Sequence, residues 1–275
     1  MTSASIIISF YNKTDYLKAV LAGFERQTHK KFEILIADDG SKASVVDEVK
    51  KIIAASPLTI THVWHTDNGW QKNKILNRAI KKSKYDYLIF IDGDCIPHKA
   101  FVHEHLINSE SNAILAGRRV FLSEKFTNSL KTNQIKNGYL ENIFRLFLMK
   151  SISWYLGIYL GKFSIKKIIL RKKGRHVKGC NMSLYKEALF LINGFDERYV
   201  HPTIGEDDDI ECRLKNAGFY VKNLKYLAIQ YHLHHKLLSR EMNHENKKLI
   251  TVVMKQKTIS TPYGLNQEKR INQYL

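Results

Sequence analysis

The chain opens with apolar runs that alternate with amphipathic segments, and this alternation restricts its fold more than any other sequence feature. The runs are rich in β-branched residues, have the length of buried strands, and lie at 5–10, 32–37, 58–64 and 87–91. Between them apolar residues recur at helical spacing, and Thr14 and Asp15 are the expected N-cap of the first helix. Strands that alternate with helices lie parallel and are joined by right-handed crossovers. The sequence therefore predicts an α/β fold with a central, mostly parallel sheet flanked by helices.

The later part of the chain is less regular. Residues 113–120 are typical of one more strand, whereas 124–175 indicate long, mixed helical segments that end in a basic run. Regular order resumes at residue 186. We therefore expect one domain at 1–235, with 124–175 as a helical insertion, and a C-terminal helix and polar tail at 236–275.

Two groups of acidic residues stand out in a chain whose formal net charge is +18. Asp92, Gly93 and Asp94 directly follow an apolar run, and residues 206–209 are four acids in succession. Neighbouring carboxylates resist joint ionisation, so such groups indicate a bound cation or a catalytic role. The first pair offers hard oxygen ligands for Mg²⁺ or Mn²⁺, and a carboxylate of the second suits general-base catalysis. A solvated turn and a favourable helix-dipole interaction are the respective structural alternatives.

The predicted sheet brings three loops to one edge, because ligands of open parallel sheets bind beyond the carboxyl ends of the strands. These loops contain the polar residues Tyr11, Asn12, Asp38, Asp39, Asp92 and Asp94. Histidines also follow the second acidic group, within residues 231–235. A neutral imidazole can complete a divalent-metal site, although a histidine on a strand is more often structural. The spacing leaves open which histidine coordinates.

Composition limits the partners and the compartment. The 44 Lys and Arg against 26 Asp and Glu suit nucleic acid, an anionic membrane or phosphorylated substrates, without choosing among them. The cysteines Cys95, Cys180 and Cys212 have no paired spacing and indicate free thiols in a reducing compartment. No basic leader precedes the first strand, and no stretch offers about 20 uncharged residues to span a bilayer. We therefore expect a cytoplasmic protein.

Six motifs in a fixed order resemble the family 2 glycosyltransferases of the nucleotide-sugar-binding GT-A fold. They lie at 9–12, 37–41, 92–94, 178–183, 193–197 and 205–210. The acidic run and residues 70–74 also resemble β-1,4-galactosyltransferases and bacterial chondroitin-polymerase modules. Phe10 departs from the family pattern, since many relatives have proline there.

The resemblance implies a role for individual residues. Tyr11 would stack on the nucleotide base, Asp39 would hydrogen-bond it, and Asp207 would take the proton from the acceptor hydroxyl. The implied donor-binding residues are Ser9, Tyr11, Asn12, Asp38, Asp39, Trp70, Lys72, Lys74, Asp92 and Gly93. The implied metal ligands are Asp92 and Asp94 with His232, or alternatively His234. The implied acceptor-binding residues are Glu206, Asp208 and Asn181.

The same resemblance implies a metal-dependent enzyme that uses Mn²⁺ or Mg²⁺ and a nucleotide-sugar donor, with UDP as the expected nucleotide. The acceptor would be a glycan or a lipid-linked glycan in bacterial surface-polysaccharide synthesis, as in lipopolysaccharide or capsule. One carboxylate base opposite one metal predicts single displacement and hence inversion at the anomeric carbon.

Two other functions would explain part of these features. A sugar nucleotidyltransferase shares the sheet and the metal but needs a glycine-rich phosphate loop after the first strand, and residues 10–13 contain no glycine. A basic nucleic-acid-binding protein leaves both acidic groups unexplained, because carboxylates repel phosphates. We therefore expect no nucleic-acid partner.

The middle of the chain supports two interpretations. Apolar residues between 140 and 159 form a stripe beside Arg145, Lys150 and the basic run, which is typical of an interfacial helix on an anionic membrane. The alternative is a helical layer packed on the sheet, followed by a loop over the donor. We favour partial membrane contact, in a protein peripheral to the inner face of the cell membrane.

Overall fold

The early apolar runs form the centre of a seven-stranded sheet in a computed structural model, which describes residues 3–163, 166–171, 176–202, 205–236 and 243–266. The strands of this sheet are β1 (Ala4–Phe10), β2 (Phe32–Asp38), β3 (Ile60–Trp64), β4 (Tyr87–Asp92), β6 (Ala113–Ala116), β8 (Asn181–Tyr185) and β9 (Tyr220–Asn223). Their order across the sheet is β3-β2-β1-β4-β8-β6-β9. A second sheet of three strands contains β5 (Cys95–Pro97), β7 (Arg118–Phe121) and β10 (Ile229–His232), with β10 in the middle.

The first four strands of the large sheet are parallel to one another, as the alternating pattern predicts. Strand β8 is antiparallel to both β4 and β6, whereas β9 runs parallel to β6. The prediction of a mostly parallel α/β sheet is therefore confirmed. In the small sheet β10 pairs in parallel with β7 and antiparallel with β5.

Helices cover both faces of the large sheet. They are α1 (Thr14–Glu25), α2 (Ala43–Ala54), α3 (Lys72–Lys82), α4 (Phe101–Ile107), α5 (Glu124–Ser129), α6 (Thr132–Lys136), α7 (Ile143–Leu148), α8 (Lys166–Arg171), α9 (Lys186–Leu191), α10 (Glu206–Asn216) and α11 (Asn243–Gln256). Short 3₁₀ turns lie at Tyr139–Glu141 and Trp154–Gly157. The expected N-cap is wrong, because α1 begins at Thr14 itself and its N-cap position is Lys13, without a side-chain cap.

The core has two apolar layers, one on each face of the sheet. On β1, Ile6 and Ile8 belong to one layer and Ile7 to the other, since successive side chains of a strand point to opposite faces. All three are fully buried, and each such side chain contributes about 1.5–3 kcal/mol to folding. Burial on both faces explains why these strands are continuous apolar runs rather than alternating ones.

The strand predicted at 113–120 is instead two strands in different sheets. The chain changes sheet at Gly117, where an added Cβ would lie 2.2 Å from Oδ1 of Asn181. Only glycine therefore allows this close approach to β8. The apolar β-branched composition of 113–120 fits either arrangement, so the sequence pattern did not reveal the break.

The expected long helices of the 124–175 insertion are also wrong. The described part of this insertion contains the short helices α5 to α8 and the two 3₁₀ turns, joined by bends. Residues 172–175 of the basic run lie outside the described residues. Within the described ranges, no helix combines the length and the apolar character needed to cross a bilayer.

The described C-terminal segment packs on the rest of the fold. Helix α11 contacts α10, and the side chains of Thr261 and Leu265 are buried. The Nδ2 atom of Asn193 donates to the carbonyl of Thr261, 2.7 Å away. Residues 257–266 of the expected polar tail thus lie against the domain, and residues 267–275 lie outside the described residues.

Candidate active site

The loop after β4 is tied to the end of β1. The Ser9 hydroxyl donates to Oδ1 of Asp92 over 2.7 Å, and the Gly93 N–H donates to the Ser9 carbonyl over 2.8 Å. A Cβ at Gly93 would approach that carbonyl to 2.8 Å, so the turn requires glycine. These contacts hold the Asp92 carboxylate at the carboxyl edge of the sheet, where sequence analysis placed it.

The loops after β1 and β2 form the adjoining part of the same edge. Tyr11 is half exposed, and its hydroxyl donates to Asp67 over 3.3 Å. Asn12 has a left-handed backbone with φ of 55°, its N–H donates to the Ser41 hydroxyl, and its side chain accepts from the Lys42 N–H. An exposed aromatic ring on a loop fixed in this way can stack on a planar ligand.

The adjacent aspartates of the β2 loop have different environments. Asp38 is fully buried and accepts hydrogen bonds from the Ser41 N–H and from His62. Asp39 accepts from His65 at 2.9 Å and from the Gln71 N–H at 3.0 Å. Burial raises the pKa of Asp39, and the hydrogen bond from His65 partly offsets this rise. Asp38, expected to bind the donor, therefore supports the loop from inside, while Asp39 lies nearer the surface.

Asp94 lies among two histidines. Its Oδ2 atom is 3.4 Å from Nε2 of His232 and 3.0 Å from Nε2 of His235. One ligand atom from each of the three residues falls within 4.8 Å of the others. One carboxylate oxygen with two imidazole nitrogens is a donor set that suits a divalent transition metal.

The hydrogen bonds of His235 show why a cation fits between these groups. Its Nδ1–H donates to the Lys236 carbonyl over 2.8 Å, so in the neutral ring the lone pair on Nε2 faces the Asp94 carboxylate. Two acceptors at 3.0 Å need a proton or a metal ion between them. The hydrogen bond to Asp94 accordingly raises the pKa of His235 against the opposing effect of burial. Burial opposes ionisation of Asp94, yet His235 and His232 together lower the pKa of Asp94 to about 2.

The cluster contains Asp94 and His232 as expected, but its third member is His235 and not Asp92 or the alternative His234. His234 is exposed, its N–H donates to the Thr127 hydroxyl, and its carbonyl accepts from Tyr16. Alternation along a strand would have put positions 232 and 234 on one side, but β10 ends at His232 and the chain then turns. His235 stands in the same histidine-rich segment, whose spacing does not distinguish it from its neighbours.

The four acids at the start of α10 have different surroundings. Glu206 is 3.3 Å from Nζ of Lys72, and Oδ2 of Asp207 accepts from the Gly179 N–H. Asp208 is half-buried, and burial and its neighbour Asp207 raise the pKa of Asp208. Asp209 is fully buried, and its Oδ2 atom accepts from both Nε and Nη2 of Arg213. Glu206 and Asp207 therefore face the site, whereas Asp209 supports the fold.

Lys72 connects the two acidic groups. Its Nζ atom lies 3.3 Å from Oδ1 of Asp92 and 3.3 Å from Oε1 of Glu206. Burial alone would lower the pKa of Lys72, but Asp92, Glu206 and Asp207 raise it, so the side chain stays cationic. A small pocket between the groups is lined by Ser9, Lys72, Asp92, Gly179, Glu206 and apolar core residues.

Three further expected residues lie at different depths. Asn181 is fully buried, accepts from His105, and donates to the Arg118 and Ala228 carbonyls, so it joins the two sheets and is not open to an acceptor. Trp70 is partly exposed in the turn before α3. Lys74, two residues after Lys72 on α3, donates to Gln71 over 3.4 Å.

Arg119 is a residue that sequence analysis missed. Its guanidinium donates to the Cys180 thiol over 3.2 Å and stacks on the ring of Phe121 at 4.8 Å. Asp92 and Asp94 both interact electrostatically with it. Within the described ranges it has no carboxylate at ion-pair distance, so this cation near Asp94 and His232 can contact an anion. Its position on β7, in the second sheet, gave no signal in the sequence.

Comparisons with known proteins agree with this geometry. The family model of glycosyl transferase family 2 matches residues 5–176, and that of the N-terminal domain of galactosyltransferase matches residues 162–236. The chondroitin synthase of Escherichia coli is 27% identical over 97% of this chain and 40% of its own length. The chondroitin synthase of Pasteurella multocida is 27% identical over 92% of this chain and 27% of its own. The chain thus spans less than half of these relatives.

Solved glycosyltransferase structures share the fold, which is GT-A. GalNAc-T7 with UDP, GalNAc and Mn²⁺ has a TM-score of 0.64 at 13% identity, covering 100% of this chain and 54% of that protein. The mannosyltransferase of Pyrobaculum calidifontis with GDP-Man and Mn²⁺ has a TM-score of 0.57 at 14% identity, and the match covers 85% of this chain and 57% of that protein. S. aureus TarS with UDP-GlcNAc has a TM-score of 0.56 at 15% identity, and the match covers 91% of this chain and 66% of that protein.

Proposed function

The chain belongs to glycosyl transferase family 2, and from this premise we propose that it is a metal-dependent, inverting glycosyltransferase that uses a UDP-sugar. The observation that carries the proposal is that the two acidic groups meet at one pocket, which Asp92, Lys72, Gly179 and Glu206 help to line. Lys72 contacts both Asp92 and Glu206 there. We assign metal binding to Asp94, His232 and His235, which follow Asp92 in the same loop or pack beside it, and catalysis to Asp207, which accepts from the Gly179 N–H.

The cluster would hold the metal ion through Asp94, His232 and His235, with Asp92 close by. When bound, a divalent cation neutralises the charge that develops on the departing diphosphate. Two imidazoles in the donor set favour Mn²⁺ over Mg²⁺, because magnesium prefers an all-oxygen environment. Mn²⁺ in two of the similar structures supports this choice.

Asp207 is the proposed general base. Its oxygens accept hydrogen bonds from the Gly179 N–H at 3.2 Å and from the Asp208 N–H at 3.0 Å, which fix the orientation of the carboxylate. The acceptor hydroxyl gives its proton to Asp207 while its oxygen bonds to the anomeric carbon, and the bond from that carbon to the phosphate oxygen breaks. A single displacement with the base opposite the leaving group inverts the anomeric configuration.

The nucleotide would lie on the loops after β1 and β2. Tyr11 would stack on the base and Asp39 would accept from it, with Asn12, Trp70 and Lys74 around the ligand. Lys72 and Arg119 would contact the diphosphate, because both are cations next to Asp92. The UDP-GlcNAc complex of S. aureus TarS, which has the same fold, supports a nucleotide sugar of this kind.

The acceptor would be a glycan, held by Glu206 and Asp208 near the base. The chondroitin synthases that this chain resembles support a role in bacterial surface-polysaccharide synthesis. A lipid-linked form of the acceptor and a cytoplasmic location stay predictions.

A thermal-shift and hydrolysis screen tests the proposal. UDP-sugars with Mn²⁺ are expected to raise the melting temperature by several degrees, because ligands that bind only the native state stabilise it. The Asp94→Asn/His235→Gln variant should lose the Mn²⁺-dependent part of the shift. The absence of any shift or hydrolysis across all nucleotide sugars would refute the proposal. An NMR time course that shows a retained product anomer would refute inversion alone.

A further inference from the structure

Helix α7 and the turn after it expose an unusual number of large apolar side chains. Phe144 is 76% exposed, Leu148 is 73% exposed and Ile152 is 70% exposed. Phe147 and Tyr155 are also exposed, and both rings contact Trp154. We call this set the α7 patch: Phe144, Phe147, Leu148, Ile152 and Tyr155.

The patch is a face of folded structure and not a poorly packed region. Phe144, Phe147 and Leu148 share one side of α7 at i, i+3 and i+4, while Leu146 on the other side is fully buried. Ile152 forms an antiparallel bridge with Phe121. The Phe121 N–H donates to the Ile152 carbonyl over 3.0 Å, and the Ile152 N–H donates to the Phe121 carbonyl over 2.8 Å. Lys150 and Ser153 flank this bridge with left-handed φ values of 54° and 57°. Such backbone strain persists where the surrounding structure maintains it, and it often marks functional sites.

The surroundings of the patch are positive. Between Glu141 and Glu187 the sequence contains no acidic residue. Lys150 and Lys162 are exposed, and neither forms an ion pair with any residue that the structure describes. Lys225 lies 5.8 Å from the ring of Tyr155 at the patch border. Exposed lysines are depleted at protein–protein interfaces, whereas aromatic and aliphatic residues bordered by lysine are typical of lipid-binding surfaces.

The α7 patch combines exposed apolar side chains with exposed lysines nearby. We therefore propose that it docks on an anionic lipid bilayer, with Lys150 and Lys162 at the headgroups. In the docked protein the proposed active site lies close to the lipid surface. Phe121 connects the α7 patch to that site, since its backbone pairs with Ile152 and its ring lies 5.2 Å from that of His232. The membrane interaction itself does not depend on the proposed reaction.

Vesicle flotation of the full chain tests this proposal, using phosphatidylcholine vesicles with and without phosphatidylglycerol. The protein should float with the anionic vesicles at low salt and dissociate as salt rises, because screening weakens the lysine–headgroup attraction. Phe144→Ser/Leu148→Ser should lower the partition coefficient at least about tenfold. Lys150→Gln/Lys162→Gln should lower it by about fivefold per lysine.

Matched controls separate the patch from general surface properties. Phe190→Ser/Leu191→Ser removes exposed apolar side chains on α9, and Lys81→Gln/Lys82→Gln removes exposed charges at the end of α3. Both control variants should bind vesicles as the unaltered chain does, and circular dichroism should show all variants folded.

Three results would overturn the proposal. The first is no flotation with anionic vesicles at low salt. The second is an equal loss in the patch and control variants. The third is a dimer by light scattering that Phe144→Ser/Leu148→Ser converts to a monomer, because the patch would then be covered by a second copy of the chain.

Discussion

The loop at 92–94 and the acidic run at 206–209 have similar composition but different internal organisation. In the loop, Asp92 contacts Ser9 and Lys72, Asp94 contacts two histidines, and both carboxylates face the edge of the sheet. The run lies on a helix, whose turn of about 3.6 residues sends successive side chains in different directions. Asp207 therefore reaches the site while Asp209 is buried against Arg213.

Acids that are adjacent in the sequence therefore need not share a function. Part of the acidic run has a structural explanation, since the buried Asp209–Arg213 pair also fixes the carbonyls of Ile192 and Gly194 through the guanidinium. The remaining acids lie near Lys72 and Gly179. The predictions below separate catalytic, structural and metal-binding carboxylates and their partners.

The largest effect is expected for Asp207→Asn. An amide cannot take the acceptor proton, so kcat should fall about 10²- to 10⁴-fold with an unchanged melting temperature. Steady-state kinetics with a donor identified in the nucleotide-sugar screen would measure this. The control is Asp86→Asn, which alters an exposed aspartate at the opposite end of β4 from Asp92 and should change kcat by less than about tenfold. Activity of Asp207→Asn within tenfold of the unaltered chain would assign the base elsewhere.

Asp209→Asn should affect folding rather than chemistry. Removing one partner of a buried ion pair leaves Arg213 uncompensated and costs about 3–5 kcal/mol of the free energy of unfolding. Urea unfolding measures this loss, and kcat per folded molecule should stay near that of the unaltered chain. A collapse of kcat with unchanged stability would instead make Asp209 part of the site.

His235→Gln should weaken Mn²⁺ binding about 10- to 100-fold, as loss of a metal-site contact does. Isothermal titration calorimetry of Mn²⁺ without donor is the measurement. His234→Gln is the matched control because it alters the adjacent, exposed histidine. Equal losses in the two variants would contradict the Asp94–His232–His235 cluster.

The smallest effect is the pH dependence of Mn²⁺ affinity. The hydrogen bond to Asp94 raises the pKa of His235, so below that pKa the ring carries a proton on the nitrogen that would bind metal. Affinity should therefore fall as pH falls, by up to about tenfold per unit below the pKa. Titrations from pH 8 to 5.5 test the sign, and His235→Gln should flatten the profile. An affinity independent of pH would show that His235 is not a ligand.

Site residues near the ends of the predicted strands could be placed from the sequence, whereas residues on other, distant segments could not. Tyr11, Asp39 and Asp92 lie at or just after the ends of strands that periodicity predicts, so the sequence also predicts that they meet at one edge of the sheet. His235 and Arg119 were not, because one follows the turn after β10 and the other lies on a strand of the second sheet. Asn181 was assigned to the acceptor site, but it joins the sheets from inside.

The α/β class, the parallel strands and the two acidic groups can be predicted from the amino-acid sequence, because they follow from local periodicity and from chemistry within a few residues. Which acid is buried, which histidine lies beside Asp94, and the division of 113–120 between two sheets become visible only in the folded chain. These arrangements depend on contacts between residues far apart in the chain. For example, Asn181 packs against Gly117, and Lys72 contacts both Asp92 and Glu206. Packing between distant segments selects among arrangements that local sequence preferences leave nearly equal in free energy.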